Sequence, residues 1–476
     1  MTTSAAPVAV RAMKSLPGPR PLPLVGNLLK MPHATLHLQL EEWARTYGDA
    51  YLCYFGSRPG LIISNPEVIR KVFLDRPGTF RRSPKMLQVM TELMLNGVFV
   101  ADGDDWRRQR KLINFGFAPD HLGNYYPMLA TITQRLTEVL GREGQNGASV
   151  DVLPVLMRYT VDVTSILSFG MDLDTLRQGS HPLQKHVEQF LPAISQRMLA
   201  PFPYWKLLPS ARRMDHALAE TRKAIQELIE KGRRDLELEP ERATKPRNLL
   251  DAMLAAQDEE AGGARLTDDE VFANVLTMLV GGEDNTADTI TWMLYYLAKL
   301  PAVQAQARQE LDVAVASQSV PAMEHFKQMP YMAGVTQEAL RLRAPAATFY
   351  LEAGQDTVVG DVAVPKGTMV VALTRLPGLN NAYFGDPENF RPERWMPNPP
   401  PDVLPHSPRH MLMFGAGGRT CPGRNLTSLL AALATGTVLR AFELELADPN
   451  APVGELMAFS VTPVGVNLRF KPRAST

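Results

Sequence analysis

Phe414-Gly-Ala-Gly-Gly-Arg-Thr-Cys-Pro-Gly423 holds one of only two cysteines in the 476-residue chain. The glycines around Arg419 permit tight turns, or the close approach of something flat and large. A helix-like run, Asn425-Leu-Thr-Ser-Leu-Leu-Ala-Ala-Leu433, begins directly afterwards. A thiolate just ahead of a helix start meets unpaired N–H groups and a partial positive charge, which keep sulfur anionic as a metal ligand. The same residues also suit a glycine-rich turn with a structural cysteine. From this stretch alone both readings stand.

Composition narrows the field. A chain with 45% hydrophobic and 21% charged residues is that of a globular protein with a large core. Fifty basic and fifty acidic side chains give a formal net charge of zero, which gives no support to bulk nucleic-acid binding. Two cysteines cannot build a disulfide framework and point to a reducing compartment. Cys53, in the apolar run Ala50-Tyr-Leu-Cys-Tyr-Phe55, reads as a buried structural cysteine. The first ten residues lack the basic and apolar regions of a signal peptide, and no run is read as reaching the roughly 18–20 apolar residues that cross a bilayer. A cytoplasmic, membrane-free protein is expected. With no repeat or linker break, residues 1–476 read as one domain, with 1–27 a proline-rich, extended lead-in.

Along the chain, helical spacing predicts helices over 36–47, 66–74, 104–112, 126–142, 150–169, 181–199 and 210–238. The Pro201-Phe-Pro-Tyr-Trp205 stretch separates the last two. Residues 51–55 and 60–64 read as a hairpin. Two or three short strands fall in 349–373, and 442–446 and 464–470 close the chain as strands. Met86, Met90 and Met94 recur every four residues, as a core stripe or as the wall of an adaptable apolar pocket.

Thr267-Asp-Asp-Glu270 is a capping box that starts a helix predicted to reach Lys299, roughly 50 Å at about 1.5 Å per residue. Its middle is Gly281-Gly-Glu-Asp-Asn-Thr286. Two glycines there cost about 1 kcal/mol each, and buried acids cost more unless satisfied. Folding alone does not select this pattern, so Glu283, Asp284, Asn285 and Thr286 are candidate catalytic residues, with a locally widened turn expected around them.

Taken together, four separated stretches resemble the cytochrome P-450 superfamily of haem-thiolate monooxygenases, in its soluble bacterial form. Phe414-x-x-Gly417-x-Arg419-x-Cys421-x-Gly423 matches that family's cysteine-ligand loop. Glu338-x-x-Arg341, Phe390-Arg-Pro-Glu-Arg394-Trp and Trp106-x-x-x-Arg110 match its other signatures, in the same order, over nearly the whole chain from Leu16. The resemblance implies a mainly α fold with small β-sheets and a long central helix over the distal haem face. It implies haem b with Cys421 as axial iron ligand, Phe414, Gly415 and Gly423 around it, and Trp106, Arg110 and Arg419 on the propionates. Glu338, Arg341 and Arg394 would form a buried structural ion triad. Asp284 would feed protons towards bound O2.

Two departures stand out. The family usually carries threonine where this chain has Asn285, with Thr286 one residue later; an amide is no hydroxyl relay. An arginine often found near Leu351 is absent, which shifts propionate binding onto Trp106, Arg110 and Arg419. The pocket is expected from Met86, Met90, Met94, Phe99, Met278, Gly281, Gly282, Ala346, Thr348 and Phe459, with Gly281 and Gly282 letting O2 or substrate approach the backbone. Such a lining suits an apolar terpenoid, steroid, fatty acid or polyketide-like molecule of secondary metabolism.

Electrons from NAD(P)H are expected through a separate ferredoxin or flavodoxin-like partner and its reductase, docking on Arg107, Arg108, Lys111 and Arg424, with the enzyme a monomer. The competing readings are a peroxide-using enzyme, an isomerase or dehydratase, a non-catalytic haem sensor or carrier, and a microsomal member whose anchor was trimmed.

Overall fold

The computed structural model describes residues 10–200, 203–258, 262–315 and 320–473. Residues 1–9 and Pro201-Phe202, on which the leader and helix-break expectations fall, lie outside them. The fold is mainly helical with small sheets, as expected. Two compact units appear, each built from separated segments.

The first unit comprises Met1–Pro84, Ala346–Asn389 and Leu404–Cys421. Its five-stranded sheet runs in the order Ala50–Phe55, Arg58–Ile63, Met369–Leu373, Thr348–Ala353, Phe80–Arg81. The expected hairpin is present, with Cys53 opposite Gly60, and Arg58–Ile63 pairs in parallel with Met369–Leu373. Leu61, Val370, Ala372 and Leu351 fill one face; Tyr51, Cys53, Ile62 and Val371 fill the other beneath helix Leu36–Tyr47. Burial pushes the Cys53 thiol up to about 12, as suits a structural cysteine. Four strands rather than two or three occupy 348–373: Thr357–Val359 and Val362–Val364 form a second small sheet with Arg11–Ala12.

The second unit comprises Lys85–Pro345, Phe390–Val403 and Pro422–Thr476. Helix Asp268–Lys299, the central helix, has 32 residues, most of them buried. The Thr267 side chain accepts from the Glu270 N–H, and the Glu270 carboxylate accepts from the Thr267 N–H at 2.9 Å. Leu276, Leu279, Ile290 and Leu294 are buried along it, each contributing about 1.5–3 kcal/mol of transfer free energy. Its chief neighbour is helix Val152–Phe169. That helix is long and apolar enough to cross a membrane by length and composition, which the sequence reading had discounted, but 78% of it is buried inside the fold.

Boundaries differ from expectation at three places. The 181–199 region is two helices, Pro182–Val187 and Phe190–Leu199. The methionine stripe ends early: helix Pro84–Glu92 stops before Met94, which sits in the left-handed region at φ 59°. At the C-terminus, strand Asn467–Pro472 pairs with Phe442–Leu446, while Gly454–Met457 and Val461–Val464 form a hairpin with no counterpart in the sequence reading.

Candidate active site

In the first unit, the cysteine loop is shaped by its glycines. Gly415 and Gly417 adopt φ +75° and +70°, a region that favours glycine. A Cβ on Gly417 would press on Leu74 at 3.2 Å. The Cys421 N–H donates to the Phe414 carbonyl at 2.8 Å, and Thr420 Oγ1 donates to the Gly417 carbonyl at 2.8 Å. Cys421 is exposed, Arg419 lies half-buried in the same turn, and Arg424 opens the following helix, Arg424–Ala441, with Gly423 as its N-cap. Ala346 and Thr348 are half-buried in this unit. Sequence reasoning missed a second device here. Glu41 and Arg375, 1% and 2% exposed, form a bidentate pair at 2.9 Å for both bonds.

In the second unit, helix Gly103–Gly116 buries Trp106 and carries Arg110 one turn later on the same face. Trp106 and Arg110 are indole and guanidinium donors of the kind that carboxylate groups accept, and the exposed thiol of the first unit is the kind of group that ligates a metal. The basic residues of the expected docking face that lie on the same helix are ion-paired. Arg107 pairs with Asp104, Arg108 with Glu270, and Lys111 with Asp258 at 2.6 Å. Of the four basic residues only Arg424 has no ion pair among the described residues.

The Glu338 cluster is buried and fully engaged. Glu338 and Arg341 are 0% exposed. Arg341 donates through Nε at 2.9 Å and Nη2 at 2.6 Å, and Arg394 Nε donates at 3.1 Å. The sequence reading missed two more donors, the Arg391 N–H at 3.0 Å and Trp395 Nε1 at 2.8 Å. Gly334 makes the close approach possible: a Cβ there would stand 2.6 Å from the Pro392 carbonyl oxygen.

The acidic stretch of the central helix is regular α-helix, without the widened turn. Its two glycines do different things. A Cβ on Gly281 would meet open space, whereas one on Gly282 would meet Thr164 Cγ2 at 2.9 Å. Gly282 therefore serves helix packing rather than a pocket. Glu283 is buried and accepts from Gln184 Nε2 at 3.3 Å; burial pushes its carboxyl up to about 8. Burial also raises Asp284 to about 6. The Asn285 amide donates to the Gly281 carbonyl at 3.4 Å, within its own helix, and Thr286 is buried. Asp288, which sequence reasoning missed, is buried four residues after Asp284. Burial and the neighbouring Asp284 hold it well above the usual carboxylate range.

Of the other pocket candidates, Met90 is core, 1% exposed. Met86, Met94, Phe99 and Met278 are half-buried, and the Phe99 and Phe459 rings lie 6.4 Å apart.

Comparison with known proteins gives the family. A cytochrome P450 family profile matches residues 16–470, so the chain belongs to the cytochrome P450 family, enzymes that use haem and O2 with electrons from NAD(P)H through a redox partner. It is similar to cytochrome P450 3A5 of Homo sapiens, 27% identical over 90% of this chain and 85% of that relative. Cytochrome P450 3A12 of Canis lupus familiaris is 25% identical over the same shares. A bifunctional cytochrome P450/NADPH–P450 reductase of Gibberella moniliformis is 27% identical over 97% of this chain and 41% of its own length.

Proposed function

We propose that residues 1–476 work as one cytoplasmic, monomeric catalytic domain that inserts one oxygen atom of O2 into an apolar, medium-to-large organic molecule. A terpenoid, steroid, fatty acid or polyketide-like compound is the substrate class, and a separate ferredoxin- or flavodoxin-like protein is the electron donor. The observation that carries this reading is the Cys421 loop, where positive-φ glycines and the bond to the Phe414 carbonyl fix an exposed thiol. Haem bound through that thiol supplies the iron that activates O2, and thiolate ligation pushes electron density onto it.

The chain's own residues set the rest. Trp106, Arg110 and Arg419 supply donors for two propionates. Asp284, raised to about 6, is poised to gain and lose a proton near neutral pH, as a proton-delivering group requires. Glu283, raised to about 8, stays neutral at pH 7 and holds Gln184. Asn285, turned to its own helix, leaves Thr286 or a water to complete the path. Met86, Phe99, Met278 and Phe459 supply apolar lining in the second unit; Ala346 and Thr348 are the residues proposed from the first.

Asn285 favours a second reading, a peroxide-using enzyme that needs no proton delivery to O2. Turnover of a terpenoid and steroid panel with NADPH, ferredoxin and ferredoxin reductase, set against turnover with peroxide alone, decides between them. Donor-dependent product supports monooxygenation; product from peroxide only overturns it.

A further inference from the structure

The Gly454–Met457/Val461–Val464 hairpin is held to the central helix and to the end of helix Pro330–Leu342 at three places. Arg343 Nη1 reaches Glu455 at 2.7 Å, while its guanidinium lies 4.7 Å from the Trp292 ring centre and donates to the Tyr296 hydroxyl. The Val461 N–H donates to the Pro345 carbonyl at 2.8 Å. Nearest the hairpin tip, Ser460 Oγ and Thr462 Oγ1 both donate to Asp288 Oδ2, each at 3.4 Å. Asp288 is 0% exposed, and its Oδ1 has no hydrogen-bond partner among the described residues. A buried carboxyl without a cation is a costly way to pack a helix. Its cost is understandable if those hydroxyls must be held in place.

What they hold is Phe459, next to Ser460 and 36% exposed, whose ring lies tilted against that of Phe99 with centres 6.4 Å apart. Phe99 is registered to the same helix separately. Asn274 Oδ1 accepts from the Val98 N–H at 2.7 Å, and Gly97 leaves room for that amide, since a Cβ would stand 2.5 Å from it. The central helix thus fixes both sides of one aromatic pair, through Asn274 and through Asp288.

We propose that Asp288 is a positioning residue that holds the hairpin through Ser460 and Thr462 and, by placing Phe459 against Phe99, sets the size limit of the substrate wall. This rests on the reading of Phe99 and Phe459 as pocket lining.

The test uses the full chain and two readouts. Binding of imidazole, 4-phenylimidazole and a biphenyl-substituted imidazole to the haem protein is followed by the Soret shift, and hydrogen–deuterium exchange is followed across 454–464. Asp288→Ala, and separately the Ser460→Ala/Thr462→Val double variant, should bind the biphenyl ligand roughly tenfold more tightly, the scale of two lost hydrogen bonds. Imidazole affinity should stay within twofold, and hairpin exchange should accelerate while 442–446 and 467–472 are unchanged. Asp288→Asn, which keeps an acceptor in place, should behave as wild type. Unchanged hairpin exchange in the double variant, or parallel changes for small and large ligands, overturns the proposal. The double variant decides if Asp288→Ala does not fold. Failure of the wild type to bind haem would defeat the underlying reading instead, and the exchange experiment needs no haem.

Discussion

Two groups of acids in the same unit, Glu338 on one side and buried Glu283 and Asp288 with half-buried Asp284 on the other, make opposite arrangements. Glu338 accepts five N–H bonds, three of them from Arg341 and Arg394. Glu283, Asp284 and Asp288 have an amide, two hydroxyls and no cation among their described partners, and all three are held above the usual carboxylate range. An acid surrounded by guanidinium groups is a fixed structural charge. Acids buried among neutral partners hold protons near neutral pH, which is a property of catalytic sites more than of scaffolds. Burial alone says nothing about function; the partners decide.

The largest effect should come from breaking the paired side. Glu338→Ala strands two buried guanidinium groups and should cost about 3–5 kcal/mol, so that thermal unfolding drops sharply and no haem-loaded protein is recovered. Recovery of normal holoprotein would refute the structural role.

On the unpaired side, Asp284→Asn should lower O2-dependent turnover by roughly 100-fold while leaving peroxide-driven turnover within a few-fold. Wild-type turnover should fall as pH rises past about 6, where Asp284 loses its proton; the variant should be low and flat from about pH 5 to 8. Equal loss in both assays would remove Asp284 from proton delivery.

Glu283 gives a stability test. Its folded pKa is raised to about 8, so between the ordinary carboxyl range and about pH 8 the folded state binds more protons than the unfolded one. Its contribution is therefore lost as pH rises through that window. Glu283→Gln should be more stable than wild type at pH 8 by about 4 kcal/mol, with little difference at pH 4.5. Denaturant melts at the two pH values check this; an unchanged pH dependence contradicts the buried-neutral assignment.

The smallest effect separates the glycines beside these acids. Gly281→Ala meets open space and should gain up to about 1 kcal/mol from helix propensity. Gly282→Ala must displace Thr164, whose hydroxyl is fixed to the Thr160 and Val161 carbonyls, and should lose about 1 kcal/mol or more. Equal melts would remove the packing role of Gly282.

What the sequence disclosed was local. The cysteine loop, the Glu338–Arg341 pair on one helix face and the capping box at Thr267 each lie within a few residues, so spacing alone exposes them. Partners distant in sequence left no such trace. Trp395 on Glu338 is 57 residues away, Ser460 on Asp288 is 172, and Arg375 on Glu41 is 334. Asp288 itself sits on a helix predicted correctly from Thr267 to Lys299, but nothing in its periodicity says that a two-stranded hairpin covers it. The ion pairs of the basic run Arg107–Lys111 were hidden for the same reason, because Glu270 and Asp258, the partners of Arg108 and Lys111, are more than 140 residues downstream.

Thiolate ligation of haem by Cys421 is tested most directly by a carbon monoxide difference spectrum of the reduced, haem-loaded protein. The wild type should show the strongly red-shifted Soret band of a thiolate ligand, and Cys421→Ala should lose it. A band without that shift in the wild type, or the same shifted band in Cys421→Ala, would contradict the assignment.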